Sequence, residues 1–320
     1  MLNRIIIFVC VLILFPYISN SKSYMDTANA KVTLRIVDEE GKPVEGAKIS
    51  ASYIIRFYTK TTFASIKGVS DGEGHFVASA TGGDDLGFTV TMEGYYESIG
   101  GYTFKEIVNG RWEPWNPEVV VVMRKIEHPV PMYVRDTIMT KKKMVIPVLG
   151  KAVGFDLIEY DWVSPYGNGI RSDIIFQVDR KLVKNDEAEY VFKANFPGKF
   201  DGIQLYKEDI RSGSSFKLPR FAPEGGYQNS LIRTMKAVPS VYEKNTSADN
   251  NYFFRVRSEE SNGKLVRAMY GKIQGDIEFR PGYDHTAAFF MQYFLNPDYT
   301  RNMEFNGNLF TNVDNSGRER

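Results

Sequence analysis

One serine of this sequence lies in a Gly-x-Ser-x-Gly string, the pattern that carries the nucleophile of many serine hydrolases. The string spans residues 68–72, with Ser70 at its centre. A nucleophile on this string needs a strand before it and a helix after it, so that its hydroxyl is exposed. Residues 75–80 have the pattern of a strand instead, and no general base stands at a recognisable spacing. We therefore expect Ser70 to be structural.

Two tryptophans lie close together in a proline-flanked segment. The segment reads Trp-Glu-Pro-Trp-Asn-Pro and contains Trp112 and Trp115, with Tyr102 a short distance before it. Flat aromatic faces bind sugar rings by apolar contact, so this cluster is a candidate carbohydrate site. The alternative interpretation is that both indoles close the end of a core or a domain junction. The pattern leaves both interpretations open.

Three carboxylates in the second half alternate with aromatic residues. Asp156, Glu159 and Asp161 lie near Tyr160 and Trp162. A pair of carboxylates could hydrolyse a glycosidic bond, but only their separation in space decides this. If the segment is a strand, Glu159 and Asp161 share one face, and the aromatic residues face the other way. A surface strand with its aromatic side chains turned inward is the simpler interpretation.

The remaining metal-binding or catalytic residue types are scattered. His75, His128 and His285 have no paired metal-ligand spacing. Asp284 beside His285 could form a dyad, although a solvated turn explains the pair as well. The acidic pair at residues 84–85 lacks the spacing of a calcium loop. We expect no catalytic residue, no bound metal and no cofactor.

The elements that would position these residues are clearest near the start of the chain. Residues 32–36 alternate as a half-buried strand does, and residues 38–43 form a turn rich in acidic residues, Gly and Pro. A second turn at residues 71–74 leads into another strand. Gly46 and Gly74 each stand where a turn meets a strand, which predicts a positive φ at both.

The turn residues of this region form a recognisable pattern, which resembles the carboxypeptidase regulatory-like (transthyretin-like) domain. The residues that carry the resemblance are Asp38, Gly41, Pro43, Gly46, Ala47, Asp71, Gly74, Phe76, Gly94 and Tyr95. It covers about the first third of the mature chain and departs from the family in a long insert at residues 52–67. The resemblance implies a small β-sandwich that serves as a non-catalytic, extracytoplasmic accessory or binding module. It does not imply peptidase activity.

The second half is also rich in strand patterns. Hairpins are predicted around residues 184–187 and around the Asn-Gly pair at residues 262–263, and residues 286–295 form a long apolar strand. Residues 231–237 have the best helical spacing, over a short window. We predict an all-β chain: an immunoglobulin- or transthyretin-like sandwich followed by a second, larger, jelly-roll-like sandwich.

These patterns divide the chain into five parts. The parts are a signal peptide at residues 1–23, a first sandwich at 31–125, a linker at 126–150, a C-terminal sandwich at 151–312 and a flexible tail at 313–320. Residues 119–123 read Val-Val-Val-Val-Met, which predicts a strand buried on both faces or the last central strand of the first sandwich.

The N-terminus has the pattern of a secretory signal. Arg4 precedes an apolar run at residues 5–15, and polar residues 19–23 follow it. Cleavage could follow Ser21 or Ala30; an uncleaved anchor is the alternative, although the run is shorter than the roughly 20 residues of a membrane span. The single cysteine, Cys10, lies inside this run, so the mature chain has no disulfide. We expect a periplasmic or extracellular protein with no membrane span after cleavage.

Composition adds little about partners. The formal net charge of +1 on 320 residues gives no sign of a nucleic-acid partner. The sequence therefore favours a secreted, non-enzymatic binding or structural module of the bacterial cell envelope, with a polysaccharide or another envelope protein as its partner. Two alternatives remain: a carbohydrate-binding protein that uses Trp112, Trp115 and Tyr102, and a hydrolase with its site in the C-terminal domain.

Overall fold

The structure is a computed structural model that describes residues 26–137, 144–184, 187–238, 241–281 and 286–319. Every regular element in these ranges is a β-strand, which confirms the predicted all-β fold. The predicted signal peptide and the Asp284–His285 pair lie outside the described residues. None of the described segments is a helix of the length and hydropathy needed to cross a membrane.

Strands β1 to β9 build the first sandwich. They are β1 Ala28–Asp38, β2 Lys48–Arg56, β3 Thr61–Val69, β4 His75–Gly82, β5 Asp85–Thr91, β6 Ser98–Thr103, β7 Glu106–Val108, β8 Arg111–Glu113 and β9 Glu118–Met123. The remaining strands are β10 Val130–Asp136, β11 Met144–Val145, β12 Val153–Asp156, β13 Asp161–Trp162, β14 Ile174–Lys184, β15 Glu187–Asn195, β16 Gly202–Lys207, β17 Gly213–Ser214, β18 Ser230–Val238, β19 Val241–Lys244, β20 Asn250–Ser261, β21 Lys264–Pro281, β22 Ala287–Asn296 and β23 Phe305–Asn308.

The first sandwich consists of two sheets that face each other across an apolar core. In one sheet, β1 pairs antiparallel with β4 and parallel with β9, and β8 and β7 continue from the start of β1. The other sheet has the order β17-β6-β5-β2-β3, so it borrows one short strand from the second half. Alternate residues of β1 are fully buried, and they are Ala30, Val32, Leu34 and Ile36.

The second sandwich also has two sheets. One runs β16-β20-β21-β22-β10-β23, with β11 paired to β22, and the other runs β13-β12-β14-β15-β18-β19. Their facing sides meet through stacked aromatic rings. Phe176 and Phe192 on one sheet lie 5.0 and 4.9 Å from the ring of Phe289 on the other. Because these rings come from the inward positions of long alternating strands, they fill the space between the sheets.

The turns of both sandwiches agree with several expectations from sequence. Gly46 and Gly74 have φ values of +75° and +78°, as predicted. The Asn-Gly pair at residues 262–263 joins β20 to β21, with positive φ at both residues. Strand β14 pairs with β15 up to Lys184 and Glu187, which confirms that hairpin.

Three local expectations differ from the structure. Residues 231–237 lie in strand β18, since pairing with β15 outweighs their helical spacing. Strand β9 is neither buried on both faces nor central, because Val120 and Val122 are 49% and 43% exposed and β9 pairs with β1 alone among the described strands. The predicted insert at residues 52–67 belongs to a regular hairpin, in which β2 and β3 pair along nine residues each.

The domain limits also shift at both ends of the second half. Strand β10 pairs with β22 and β23, so part of the predicted linker belongs to the second sandwich. The predicted tail is ordered through residue 319: Val313 is fully buried, and the carbonyl of Gly317 accepts a hydrogen bond from the N–H of Asp136. Apolar burial at Val313 keeps this polar segment on the surface of the sandwich.

Candidate functional site: the cleft between the two sandwiches

Backbone pairing joins the two halves of the chain. Strand β17 belongs to the second half, yet it pairs with β6 through Gly213 opposite Ile99 and Ser214 opposite Ser98. The N–H of Ser215 continues the ladder and donates to the carbonyl of Glu97 at 2.7 Å. A segment of the second half thus completes part of a sheet in the first, which ties the two sandwiches together.

A buried carboxylate reinforces this junction. The side chain of Glu304 is fully buried and lies 2.8 Å from Nη1 of Arg220. It also accepts hydrogen bonds from the backbone N–H groups of Glu127 and His128, both at 2.8 Å, and from the hydroxyl of Tyr96. Burial alone would raise the pKa of Glu304, but these N–H groups and Arg220 outweigh it and lower the pKa. Glu304 therefore stays ionised as the centre of the junction.

Two arginines share one carboxylate of the first sandwich. Nε of Arg124 lies 2.9 Å from Oε1 of Glu39, and Nη2 of Arg220 lies 2.9 Å from Oε2 of the same side chain. The guanidinium of Arg124 also stacks 4.1 Å from the ring centroid of Phe216 and donates to the carbonyl of that residue at 3.0 Å. These bonds connect the turn after β1 with the segment that follows β17.

A lysine lies buried behind the same segment. The Nζ of Lys272 donates to the carbonyls of Lys217 and Met303 at 3.1 and 3.0 Å, and it lies 4.6 Å from the ring of Phe216. Burial lowers the pKa of Lys272 to about 7, and the positive charge of Arg124 adds to this effect. The junction thus holds one cation whose charge changes near neutral pH.

An open cleft of about 610 Å³ lies beside this junction. One wall is the Val-rich strand β9, the other is β6 with Phe88 behind it, and the segment at residues 206–219 closes one end. Ile99, Val120 and Val122 expose between 43% and 49% of their surface here. The cleft is therefore a groove between two strand edges with both apolar and polar side chains in its lining, of a size that suits a bound ligand.

The edge of β6 is only partly covered. Strand β17 pairs with its first two residues and ends there, whereas β6 continues to Thr103. Gly100 lies over Phe88, and a Cβ atom at Gly100 would come within 2.5 Å of that ring. The glycine thus brings the backbone of β6 close to the apolar floor. An extended polypeptide laid in the cleft would find both backbone partners and apolar contacts, which is the usual chemistry of strand addition.

The predicted aromatic cluster does not form a shared platform. Trp112 is 6% exposed, its Nε1 donates to the carbonyl of Gly82 at 2.8 Å, and its ring stacks on Phe104. Tyr102 is half-buried and packs edge-on against the same phenylalanine at 5.1 Å. Trp115 alone is exposed, at 37%, with the guanidinium of Arg111 5.0 Å from its ring. Trp112 closes the core, as the alternative interpretation proposed.

Ser70 has a structural role. Its side chain is 2% exposed, its hydroxyl donates to the carbonyl of Val44 at 2.6 Å, and its oxygen accepts the N–H of Ala47 at 3.0 Å. Both hydrogen-bonding directions of the hydroxyl are therefore used to hold the turn before β2. Because strand β4 and not a helix follows the string, the elbow required for a nucleophile is not formed.

The acidic residues of the second half are separated by a turn, so the predicted continuous strand is wrong. Residues 157–160 form this turn between β12 and β13. Asp156 is 1% exposed and accepts a hydrogen bond from Nη2 of Arg257 at 2.7 Å, and Asp173 accepts from Nε of the same arginine at 2.7 Å. Tyr160 and Trp162 are buried, so the aromatic residues do face inward. Asp156 therefore belongs to an ion network with Arg257 and Asp173, and it does not line the cleft between the sandwiches.

The other candidates have ordinary surroundings. Nδ1 of His75 lies 3.8 Å from a carboxylate oxygen of Glu73. Arg56 lies 2.6 Å from Asp85 and 3.5 Å from Asp84. Among the described residues, no group of three or more His, Cys, Asp or Glu side chains is placed to hold a metal ion.

The sequence patterns did not identify the residues that build the junction. Arg124, Arg220 and Glu304 look like ordinary surface charges, because their partners lie far away along the chain. Lys272 could have been identified from the sequence pattern. It lies on the same face of β21 as Ala268 and Tyr270, which are buried. A lone lysine at an inward position of an apolar strand predicts a buried cation with dedicated partners.

Comparison with known proteins gives distant structural likenesses. No protein-family model matches the sequence, and no curated protein matches it. The shaft pilin SpaA from Lactobacillus rhamnosus GG is similar at 14% identity, with a TM-score of 0.23 over 83% of this chain and 93% of the pilin. The major pilin subunit BcpA of Bacillus cereus is similar at 10% identity, with a TM-score of 0.24 over 83% of this chain and 68% of that one.

An enzyme is also among the similar structures. The 3-chlorocatechol 1,2-dioxygenase from Rhodococcus opacus 1CP is similar at 11% identity, with a TM-score of 0.26 over 32% of this chain. The matched part spans 62% of the dioxygenase, which is less than two thirds of its length. All these TM-scores lie below 0.5, so the likenesses carry no conclusion about activity or partners.

Proposed function

We propose that this chain is a secreted, non-enzymatic binding and structural module of the bacterial cell envelope, and that it binds another envelope protein in the cleft between its two sandwiches. The observation that carries the proposal is the pairing of β17 with β6. It joins the two sandwiches and leaves a cleft, with exposed valines in its lining, beside an incompletely covered strand edge. Such a surface suits a protein partner that supplies an extended segment.

The chemistry of the cleft favours a polypeptide over a sugar. Sugar sites combine an exposed aromatic face with free amides or carboxylates. Two carboxylates line the cleft, Glu39 and Glu208, and that of Glu39 is already engaged by Arg124 and Arg220. The carbohydrate alternative now depends on Trp115, because its predicted companion Trp112 is buried.

The hydrolase alternative has less support in the second half. The carboxylates that the sequence offered there include Asp156, which is bound to Arg257 and to the backbone N–H groups of Ile158 and Glu159. These bonds lower the pKa of Asp156 even though burial raises it, so the group is held as a carboxylate and is a poor general acid.

Site-specific photo-crosslinking in the producing cells tests the binding surface. A p-benzoylphenylalanine at Val120 places the reactive group in the cleft, where this side chain is 49% exposed. The matched control carries the same group at Val266, which is 63% exposed on β21 of the second sandwich. We expect a discrete crosslinked envelope protein from Val120 and none from Val266. Equal patterns from both positions, or none from Val120, would contradict the proposal.

Export is tested separately. The protein recovered from the periplasm or the medium should have the intact mass of a chain that begins after a cleavage point between Ser21 and Ala30, as expected after signal cleavage. A mass that still includes residues 1–15 would contradict cleavage and favour the uncleaved anchor. This measurement does not depend on the partner.

A further inference from the structure

Strand β3 forms one edge of the first sandwich, and none of the described strands pairs with its outer side. It ends its sheet, pairs with β2 along nine residues and shows no shift of register in that pairing. Its exposed residues include Phe63 and Val69, at 61% and 58% exposure, and it contains no proline. Proteins usually protect such edges with bulges, prolines or several charges, and β3 has a single charge, at Lys67.

The hydrogen bonds at both ends of the β2–β3 hairpin show which peptide groups of β3 face outward. The N–H of Phe57 donates to the carbonyl of Lys60, and the N–H of Ser70 donates to the carbonyl of Ala47. Because bonded and non-bonded pairs alternate in an antiparallel ladder, the even-numbered residues of β3 face β2. The odd-numbered residues, centred on Ser65, therefore turn their N–H and carbonyl groups away from the sheet.

We propose that this edge pairs with the β3 edge of a second copy of the chain, antiparallel and centred on Ser65. Ser65 is the middle residue of Thr61–Val69, so this register alone pairs the whole strand with itself. A two-fold axis at Ser65 makes the contact self-complementary, as a closed dimer requires. Thr61 of each copy then lies opposite Val69 of the other, which pairs two β-branched side chains.

The charge pattern selects the same register. Pairing centred on Ser65 puts Lys67 of each copy opposite Phe63 of the other, where an ammonium group can lie against an aromatic face. A register centred on Lys67 would instead place two like charges directly opposite each other, which is unfavourable. The only charge on this edge thus favours the symmetric register and opposes one of its competitors. The sheet of the first sandwich becomes continuous across the dimer.

Analytical ultracentrifugation of the mature chain tests the proposal. We expect a reversible dimer in the micromolar to millimolar range, since an edge-to-edge contact is small. Ser65→Pro removes an outward-facing N–H without touching the ladder to β2 and should leave a monomer at all these concentrations. The matched control is Ser79→Pro on β4, an edge strand of the opposite sheet, where Ser79 is exposed; it should leave dimerisation unchanged.

A charge series tests the register. Phe63→Lys places Lys67 opposite a second lysine on both sides of the axis and should weaken the dimer at least tenfold. The double variant Phe63→Lys, Lys67→Glu restores an attractive pair and should recover most of this loss. Val77→Lys on β4 is the control, because Val77 is also exposed, at 46%.

Three results would overturn the proposal. The first is a wild-type chain that stays monomeric at millimolar concentration. The second is a dimer that survives Ser65→Pro or Phe63→Lys in a variant whose circular dichroism shows it to be folded, because the contact must then use another surface. The third is a double variant no better than Phe63→Lys, which contradicts the register centred on Ser65.

Discussion

The two sandwiches bury different kinds of side chain. Among the described residues, the first sandwich buries one charged side chain, Asp38. The charged side chains that the second half buries are Arg135, Asp136, Asp156, Asp173, Asp201, Arg233, Arg255, Lys272 and Glu304. The smaller domain therefore rests on an almost purely apolar core, whereas the larger one includes ion pairs within its packing.

The partners of these charges differ in the same way. Asp38 accepts hydrogen bonds from the N–H groups of Glu40 and Lys42 in its own turn, and the Nζ of Lys125 lies 3.4 Å from its other carboxylate oxygen. Asp156 is bound by Arg257, which is 101 residues away on the other sheet. The buried carboxylate of the first sandwich is therefore held at the surface end of its own turn, with one exposed lysine beside it, whereas Arg257 in the second sandwich connects two sheets. A buried pair adds little net stability, but removing one partner is costly.

The largest loss of stability is expected when the ion pairs between Arg257 and its two carboxylate partners on the other sheet are removed. Arg257→Ala would leave the carboxylates of Asp156 and Asp173 buried without their shared cation. We expect a loss of about 3–5 kcal/mol in the free energy of unfolding, measured with urea. The matched control is Arg267→Ala, whose ion pair with Glu259 is about half exposed and should cost less than about 1 kcal/mol.

The pH dependence of the Arg257→Ala loss provides a second check. Burial already raises the pKa of Asp173, and Arg257 opposes that rise. Without the arginine, the folded-state pKa rises further above the unfolded value, so the folded variant takes up protons as the pH falls. The loss should therefore be smaller at acidic than at neutral pH. Equal losses for the two arginines, or a loss independent of pH, would remove the contrast between buried and surface charge.

The second prediction compares the two indoles of the first sandwich. Trp112→Ala opens a cavity beside Phe104 and removes the hydrogen bond to Gly82, so we expect a loss of about 3 kcal/mol or more. Trp115→Ala removes an exposed ring and should change stability by less than about 1 kcal/mol. Thermal unfolding measures both. Similar melting temperatures for the two variants would show that Trp112 is not part of the apolar core.

The same contrast explains how much of the fold the sequence predicts. The turns of the first sandwich depend on residues close together in the chain, so Gly46, Gly74 and the turn at Asp38 could be predicted. The Asn-Gly hairpin at residues 262–263 is equally local. In each case the residue type itself favours the backbone conformation that the turn requires.

The junction could not be predicted, because its contacts are distant in the chain. Tyr96 and Glu304 are 208 residues apart, and the pairing of β17 with β6 uses only two residues of each strand. The run of valines in β9 suggested a strand buried on both faces or a central strand, yet the second half leaves a cleft there. Alternation in a sequence shows which face is apolar, but not whether another strand covers it.

The third prediction concerns Lys272, the buried cation between the two regions. Its folded-state pKa of about 7 lies below the ordinary value of 10.5, so the folded chain releases this proton at lower pH than the unfolded chain does. Stability therefore rises with pH between about 7 and 10.5, and this contribution is lost as the pH falls through 7. Lys272→Met removes the titrating group and this dependence.

The measurement is the difference in unfolding free energy between wild type and Lys272→Met at several pH values. From pH 7 to pH 9, we expect the difference to change by about 2 kcal/mol in favour of the wild type. Lys193→Met is a control, since the ammonium group of Lys193 lies on the surface, 3.3 Å from Asp179. A difference that does not vary with pH would show that Lys272 keeps its charge throughout this range.

The smallest effect is expected at two turn glycines of the first sandwich, and it tests whether local geometry governs that domain. Gly46 and Gly74 have nearly equal positive φ, so an alanine at either position has a similar backbone cost of about 1 kcal/mol.

The surroundings of the two glycines differ. A Cβ at Gly74 would come within 2.3 Å of the carbonyl oxygen of Ile36, whereas a Cβ at Gly46 meets nothing within 4 Å. The N–H of Ile36 bonds to the carbonyl of Gly74, so the two backbones cannot separate freely. Gly74→Ala should therefore cost about 2 kcal/mol and Gly46→Ala about 1 kcal/mol in urea unfolding. Equal costs would mean that the positive φ alone sets the penalty and that the close approach of these two backbones is readily relieved.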